Sequence, residues 1–265
     1  MYIYSDILFF FLFHVFGYRR EVVFQNLKNS FPDKTDEEIT KITKKFYTNL
    51  SDVTVESIKG LSLSKKALKK RYPVINIDLL DNYFKKGQSV IGIAAHYSNW
   101  EWGVISFGFQ FKHRSIGLYK PLSNKLIDKY IKKSRAAWGM NLVSIYKTYE
   151  SFEEKHAKPD IFFMVSDQSP SNIDKAIWVN FLNQNTACLH GAENYAKKYD
   201  LPLVYGNVQR IKRGYYTVEL SIFEENPTQT KPGEITERYM NKLEEIIRAK
   251  PENWLWSHKR WKHKR

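Results

Sequence analysis

The pattern of apolar and polar positions divides the chain into regions of different character. Residues 7 to 16 (ILFFFLFHVF) form a dense apolar stretch, rich in phenylalanine and followed by Tyr18, Arg19 and Arg20. A charged region follows in which TDEEI carries the signature of a capping box, Thr35 capping and Glu38 reaching back, so a helix is expected from about Asp36 to Gly60. The short helical stretch LSKKALKKR precedes Pro73, and its lysines read as a solvated face. From there, short apolar runs such as SVIGIAA, SIGLY, LVSIY and DIFFMVS alternate with amphipathic helical segments such as NKLIDKYIKKSRAAWG. That rhythm predicts an α/β fold: a mixed, largely parallel sheet flanked by helices.

Further strands are expected at AIWVNFL (176 to 182) and in GNVQRIKRGYYTVELSIF, the latter a hairpin turning near Arg213 and Gly214. A last helix, GEITERYMNKLEEIIRAK, stops before Pro251. No internal repeat or low-complexity linker interrupts the chain. The expected organisation is therefore an N-terminal membrane-associating helical region, 1–72, and an α/β domain, 73–265, forming one compact unit.

The first apolar stretch is too short for a spanning helix, which needs about 20 apolar residues. It also carries Asp6 and His14 at its edge and interior and shows no signal-peptide pattern. An interfacial helix fits better, with Phe9, Phe10 and Phe11 among the acyl chains and Arg19 and Arg20 at the phosphates; the alternative is a buried first helix of the domain.

Composition adds a partner class. With 42 Lys and Arg against 28 Asp and Glu, the formal charge is +14, which favours a polyanion: nucleic acid, an anionic membrane surface or an acidic protein. The single cysteine, Cys188, excludes an intrachain disulfide and reads as a buried structural thiol in a reducing compartment, the cytosol or a cytosolic membrane face. The C-terminal NWLWSHKRWKHKR, in which tryptophans alternate with cations, admits three readings: an interfacial anchor including Trp261, a single-strand nucleic-acid arm, or packing of Trp254, Trp256 and Trp261 onto the domain.

Candidate chemistry centres on HYSNWE, directly after the apolar run SVIGIAA. Strand carboxyl ends in parallel α/β sheets are where ligands bind, so His96 is well placed to act as a base if a carboxylate holds its other ring nitrogen. Glu101 is near in sequence, but H-x-x-x-x-E does not put both groups on one helical face. They meet only if His96 precedes a helix that Ser98 or Asn99 caps. There is no G-x-S-x-G, P-loop, H-E-x-x-H or clustered Cys/His pattern, so neither a metal nor a cofactor is called for.

The ordered set YRREVVFQNLKNSFP, HYSNWEWG, LYKPLSNKLIDKYIKKSR, SDQSP and PENWLWSHKRWK resembles the bacterial late lipid A biosynthesis acyltransferases of the lysophospholipid acyltransferase superfamily. The resemblance runs from about Tyr18 to Lys262 and implies a glycerolipid acyltransferase-like fold. It makes His96 the base and Glu101 its orienting carboxylate. It also gives Arg135 a role in phosphate binding or charge stabilisation, and brings in Asp167 as a holder of Arg135 or of a substrate amine, with Gln168 beside it and Asn99 in the same motif. Two departures stand out. Lys120 in LYKP replaces the family's usual arginine, keeping the charge without the bidentate fork. The family's apolar N-terminus is also longer, which points to a shortened chain or a late start.

The resemblance further implies that His96 deprotonates a hydroxyl of a lipid A precursor, which attacks an acyl thioester of acyl-carrier protein at the cytoplasmic face of the inner membrane of a Gram-negative bacterium. An amino-acid lipid or another glycolipid is the alternative acceptor. A non-catalytic basic protein on a membrane or nucleic acid is the alternative class, with no nucleic acid expected on the enzyme reading.

Overall fold

The computed structural model describes residues 1–265, the side chain of Ile127 excepted. Four helices come first: α1 (Tyr2–Phe10), α2 (Arg20–Ser30), α3 (Asp36–Gly60) and α4 (Lys65–Arg71). α1 runs on through a widened turn at Phe11–Val15, where the Phe16 N–H reaches back to Phe11 O at 2.8 Å. α3 starts at the expected capping box, with Glu38 N–H donating to Thr35 Oγ1 at 3.3 Å and Thr35 N–H to Glu38 Oε2 at 2.9 Å.

The rest of the chain supplies β1 (Val74–Ile75), α5 (Asp81–Lys85), β2 (Val90–Ala94), α6 (Trp100–Gln110), β3 (Arg114–Tyr119), α7 (Lys125–Ala136), β4 (Asn141–Ser144), α8 (Thr148–Glu153) and β5 (Asp160–Val165). It continues with β6 (Ile177–Phe181), β7 (Gln184–Cys188), α9 (Gly191–Tyr199), β8 (Leu203–Lys212), β9 (Tyr215–Glu224) and α10 (Glu234–Ala249). Seven strands form the main sheet in the order β1-β9-β8-β2-β5-β3-β4. Every neighbouring pair is parallel except the β8–β9 hairpin, which turns at Arg213 and Gly214 as the sequence suggests. The sheet is thus mixed and largely parallel.

The central strands are apolar on both sides because helices cover both faces. One face packs Ile91, Ile93, Phe162, Leu203 and Tyr205 with residues of α9 and α10, including Ala196, Tyr239 and Leu243. The other packs Val90, Ile161, Val204 and Val208 with Trp102, Ile105 and Phe107 of α6.

β6 is a strand as expected, but it leaves the main sheet and pairs antiparallel with β7 through Leu182 and Asn183, both at positive φ (51° and 62°). This small ribbon receives the C-terminal segment. Trp254, Trp256 and Arg260 are fully buried, and the Arg260 guanidinium donates to Ala187 O at 2.7 Å. Trp261, expected at a membrane surface, instead lies against Phe181 and Trp254 and donates from Nε1 to Thr186 Oγ1 at 2.7 Å. The indoles are drawn inward because each finds an apolar wall and an acceptor for its N–H: Thr186 Oγ1 on the ribbon for Trp261, Asp167 Oδ2 for Trp254 and Pro251 O for Trp256. Of the three readings of this segment, packing onto the domain is the one realised.

Candidate active site

β2 and β5 are adjacent and parallel, and their last residues, Ala94 and Val165, are register partners. His96 and Asp167 each lie two positions further on, so the register that aligns the strands also brings these side chains together. His96 Nδ1 stands 2.7 Å from Asp167 Oδ1. Asp167 Oδ2 accepts the His96 backbone N–H at 3.1 Å and the Trp254 indole N–H at 2.8 Å. An ionised carboxylate only accepts, so Nδ1 carries the proton and Nε2 is left with its lone pair. Gln168 Nε2 lies 3.3 Å from that nitrogen.

The Asp167 side chain is 2% exposed and that of His96 21%. Burial of Asp167 opposes its charge, but His96 and the donated hydrogen bonds outweigh burial and hold the carboxyl below its ordinary value of 3.8. Burial likewise opposes the imidazolium, yet the Asp167 charge, its hydrogen bond and the charge of Glu101 raise the imidazole above its ordinary 6.5.

The turn between β2 and α6 is fixed from several sides. Ser98 has φ of 54°, a left-handed conformation uncommon for serine, and its N–H donates to Asn253 O at 2.8 Å. The Leu255 N–H donates to His96 O at 3.2 Å. Asn99 caps α6 by accepting from the Trp102 N–H at 3.0 Å, as a strand-to-helix turn requires. Its Nδ2 donates to Glu56 Oε2 at 2.7 Å, and the residue is fully buried. Both halves of the Asn99 amide are therefore spent inside the protein, which removes it from the group of substrate-contacting residues.

Glu101 is not the carboxylate on the imidazole. Both its oxygens accept from Arg135 Nη2 at 2.9 Å, and Oε1 also accepts from Trp100 Nε1 at 3.1 Å. Asp167, expected to hold Arg135, occupies the His96 Nδ1 position instead. The physical reason is positional. Glu101 lies in the first turn of α6, facing α7, whereas Asp167 leaves a strand adjacent to that of His96. Glu101 remains close enough to contribute to the charge felt by the imidazole. Lys120 is exposed just beyond β3.

Beside this constellation opens a narrow apolar cleft lined by residues of β2, α6, β3 and β5, with Trp100, Tyr119 and Arg135 among its walls. Glycines let the side chains that line it pack close against the strands. A Cβ at Gly92 would meet the Phe163 ring at 3.0 Å, and one at Gly117 would meet Met140 Sδ at 3.2 Å. Among the described residues no group of three or more His, Cys, Asp or Glu is arranged to hold a metal ion.

A second histidine, which no local sequence pattern singles out, lies beside the site. His258 Nε2 accepts the Ser169 N–H at 3.1 Å, two residues beyond Asp167. Burial, with Arg260 and His96 nearby and against the attraction of Asp167, lowers its pKa to about 4, so it is neutral near pH 7. Nothing in WSHKR distinguishes this residue from the surrounding basic run.

Around α1, the membrane-expectation residues separate. Phe10 and Phe11 are exposed, together with Ile3, Tyr4, Ile7, Val15 and Phe16. Phe9 turns inward and stacks on Phe13 at 5.6 Å. Arg20 is exposed, and Arg19, also exposed, spends one N–H on Ser257 O at 2.9 Å. No helix among the described residues is long and apolar enough to cross a membrane. Cys188 is buried, and burial pushes its thiol up.

Comparison with protein families matches residues 8–263 to the bacterial lipid A biosynthesis acyltransferases. A comparison with curated proteins finds no match.

Proposed function

Since the chain belongs to the bacterial lipid A biosynthesis acyltransferase family and is an acyltransferase, we propose that His96 is its general base and that it moves a fatty acyl chain from acyl-carrier protein to a hydroxyl of a lipid A precursor. The observation that carries this reading is the 2.7 Å contact between His96 Nδ1 and buried Asp167 beside an apolar cleft. Asp167 fixes the tautomer, so Nε2 takes the proton as the acceptor oxygen attacks the thioester carbonyl. A C–O bond forms, the C–S bond breaks, and the imidazolium returns its proton to the departing thiolate. Asp167 stabilises the imidazolium between these events.

The cleft takes the acyl chain, whose transfer from water is favourable by ~0.8 kcal/mol per methylene. Arg135, oriented by Glu101, places positive charge at the cleft wall, where it serves an acceptor phosphate or the developing oxyanion. Gln168 beside Nε2 is positioned to touch the acceptor, and Lys120 adds a point charge for a headgroup. The exposed apolar residues of α1, with Arg20 beyond them, seat the protein peripherally on an anionic membrane, on this reading the cytoplasmic face of the inner membrane. The +14 charge suits an acidic acyl donor as well.

The test is transfer of a labelled acyl chain from acyl-carrier protein to a detergent-dispersed lipid A precursor, read by lipid mass, for the parent and His96→Ala. Transfer by the parent alone is expected. An inactive pair beside an active control enzyme would remove the lipid A acceptor, and amino-acid lipids and other glycolipids would be offered next.

A further inference from the structure

Glu56, in α3, is fully buried and belongs to no part of the acyl-transfer machinery, yet its contacts converge from three segments of the chain: α1, the start of α6 and β9. Oε1 accepts from Tyr2 Oη of α1 at 3.0 Å. Oε2 accepts from Asn99 Nδ2 at 2.7 Å and from Tyr216 Oη of β9 at 2.6 Å. Its backbone carbonyl accepts the Trp102 indole N–H at 2.7 Å. Burial pushes this carboxyl above its ordinary value of 4.5, and the hydrogen bonds from Tyr216, Asn99 and Tyr2 with the nearby charge of Arg210 offset that only in part. Replacing one donor leaves the group poorly satisfied, so the arrangement holds all its partners together or not at all.

The partner that matters for chemistry is Asn99. With its Nδ2 claimed by Glu56, its carbonyl oxygen is turned toward the Trp102 N–H, which fixes the start of α6. Ser98, held at positive φ, and His96 precede that cap within a few residues, so the direction of the amide sets the exit of the histidine turn. The other end of the network is α1. Tyr2 reaches Glu56, and one turn along Ser5 Oγ donates to buried Asp52 at 2.5 Å, while Arg210 and Arg213 complete the Asp52 site. The opposite side of the same helix displays Ile3, Tyr4, Ile7 and Phe10 to the exterior.

We infer that Glu56 is a positioning residue that sets the histidine turn through Asn99 and ties that turn to the N-terminal helix through Tyr2. The inference rests on the base role given above to His96. It adds that seating α1 on a membrane and ordering His96 are linked through one carboxyl group.

A partner swap tests it in the full-length protein. Asn99→Asp keeps an oxygen for the Trp102 N–H but sets a second carboxylate against Glu56. Adding Glu56→Gln restores a donor–acceptor pair with the roles exchanged, its amide NH₂ donating to the new carboxylate and to Tyr216 Oη, which turns from donor to acceptor. Two readouts are followed: kcat and KM for acyl transfer from acyl-carrier protein, and the NMR resonance of the His96 Nδ1 proton. Asn99→Asp is expected to lower kcat about tenfold or more, since a misplacement of ~1 Å can cost about a hundredfold. Donor KM should change little, the His96 resonance should shift, and the double variant should recover both.

An Asn99→Asp protein with kcat within twofold of the parent and an unmoved resonance overturns the inference. So does a folded double variant that recovers neither readout. Should Asn99→Asp fail to fold, Tyr2→Phe removes a donor to the same carboxyl without touching the turn, and an unmoved His96 resonance there defeats the tie to α1. If the parent transfers no acyl group to any acceptor, the base role fails, whereas the resonance still decides whether Glu56 orders the imidazole.

Discussion

Asp167→Asn is the sharpest probe of the site because it is nearly isosteric, altering hydrogen-bonding role and charge with little change of shape. The native carboxylate accepts three donors: His96 Nδ1–H at 2.7 Å, the His96 backbone N–H at 3.1 Å and Trp254 Nε1–H at 2.8 Å. The last two converge on Oδ2, so the single oxygen of asparagine is best used there. Its NH₂ then faces Nδ1 and donates to it, moving the imidazole proton to Nε2 and removing the lone pair that takes the acceptor proton. The charge is lost as well. At 2.7 Å and an effective dielectric constant of ~20, the gross attraction between imidazolium and carboxylate is about 6 kcal/mol. Retaining even a third of that as net stabilisation corresponds to more than tenfold in rate at 1.36 kcal/mol per decade. Tautomer reversal in the analogous serine-protease triad costs about 10⁴ in kcat. A loss of about 10³ to 10⁴ in kcat is therefore expected in the acyl-transfer assay, with donor KM little changed. Glu101→Gln serves as the contrast, since it frees Arg135 and leaves the Nδ1 hydrogen bond in place. The reasoning is refuted if Glu101→Gln shows the larger loss while Asp167→Asn stays within tenfold of the parent.

The raised His96 pKa places the acid limb of the pH–rate profile above 6.5, with activity increasing as the imidazole loses its proton; in Asp167→Asn that limb should move to lower pH, because burial still opposes the cation and the main counter-charge is gone. For stability the signs differ by partner. The His96 contribution is complete below 6.5 and fades as pH rises through its folded value, while that of Asp167 is present above 3.8 and fades as pH falls through its lowered value. Thermal melts of the parent and Asp167→Asn should therefore differ most between pH 3.8 and 6.5, and a difference that peaks near pH 9 would contradict the pairing. Gly117→Leu puts a side chain where a Cβ already meets Met140 and Leu142. Product mass should show preference for chains shorter by about two methylenes or more, at ~0.8 kcal/mol each; an unchanged profile would place the acyl chain elsewhere. Phe10→Ser with Phe11→Ser should weaken sedimentation with anionic vesicles at least tenfold, roughly the effect of losing ~60 Å² of buried apolar area, and unchanged binding would assign the membrane contact to another face.

The fold was legible where a local rule operates. The capping box at Thr35 and Glu38, the hairpin turning at Arg213 and Gly214, and the alternation of apolar runs with amphipathic helices all depend on neighbours within a few residues. β7 was not legible: QNTAC is polar, and its turn places Leu182, a residue with no preference for positive φ, in the left-handed region. The histidine was found because a strand end before a helix is a local feature. Its carboxylate was misplaced for the same reason, since nearness in sequence favoured Glu101, five residues away. Asp167 is 71 residues from His96, and they meet only because β5 is the strand that lies beside β2. Strand order is a long-range property, and both carboxylates followed apolar or motif-like sequence that local reading weighs equally.

The C-terminal tryptophans show how that limit and the site are connected. Alternating indoles and cations satisfy the rule for an interfacial anchor, but the rule is blind to whether acceptors and an apolar wall lie within reach. Here they do, and the segment is bound to the histidine turn by two backbone hydrogen bonds, Ser98 N–H to Asn253 O and Leu255 N–H to His96 O, which together make the antiparallel Tyr97–Trp254 bridge. Trp254 also donates to the carboxylate that holds the imidazole. These contacts stabilise a turn whose left-handed serine would otherwise be costly, and the indole completes the donors to Asp167 Oδ2. A segment rich in surface-seeking residues is thus drawn inward by the polar needs of the site. On the reading proposed above, membrane contact falls to α1, whose exposed Ile3, Ile7 and Phe10 carry no polar group that would draw them inward.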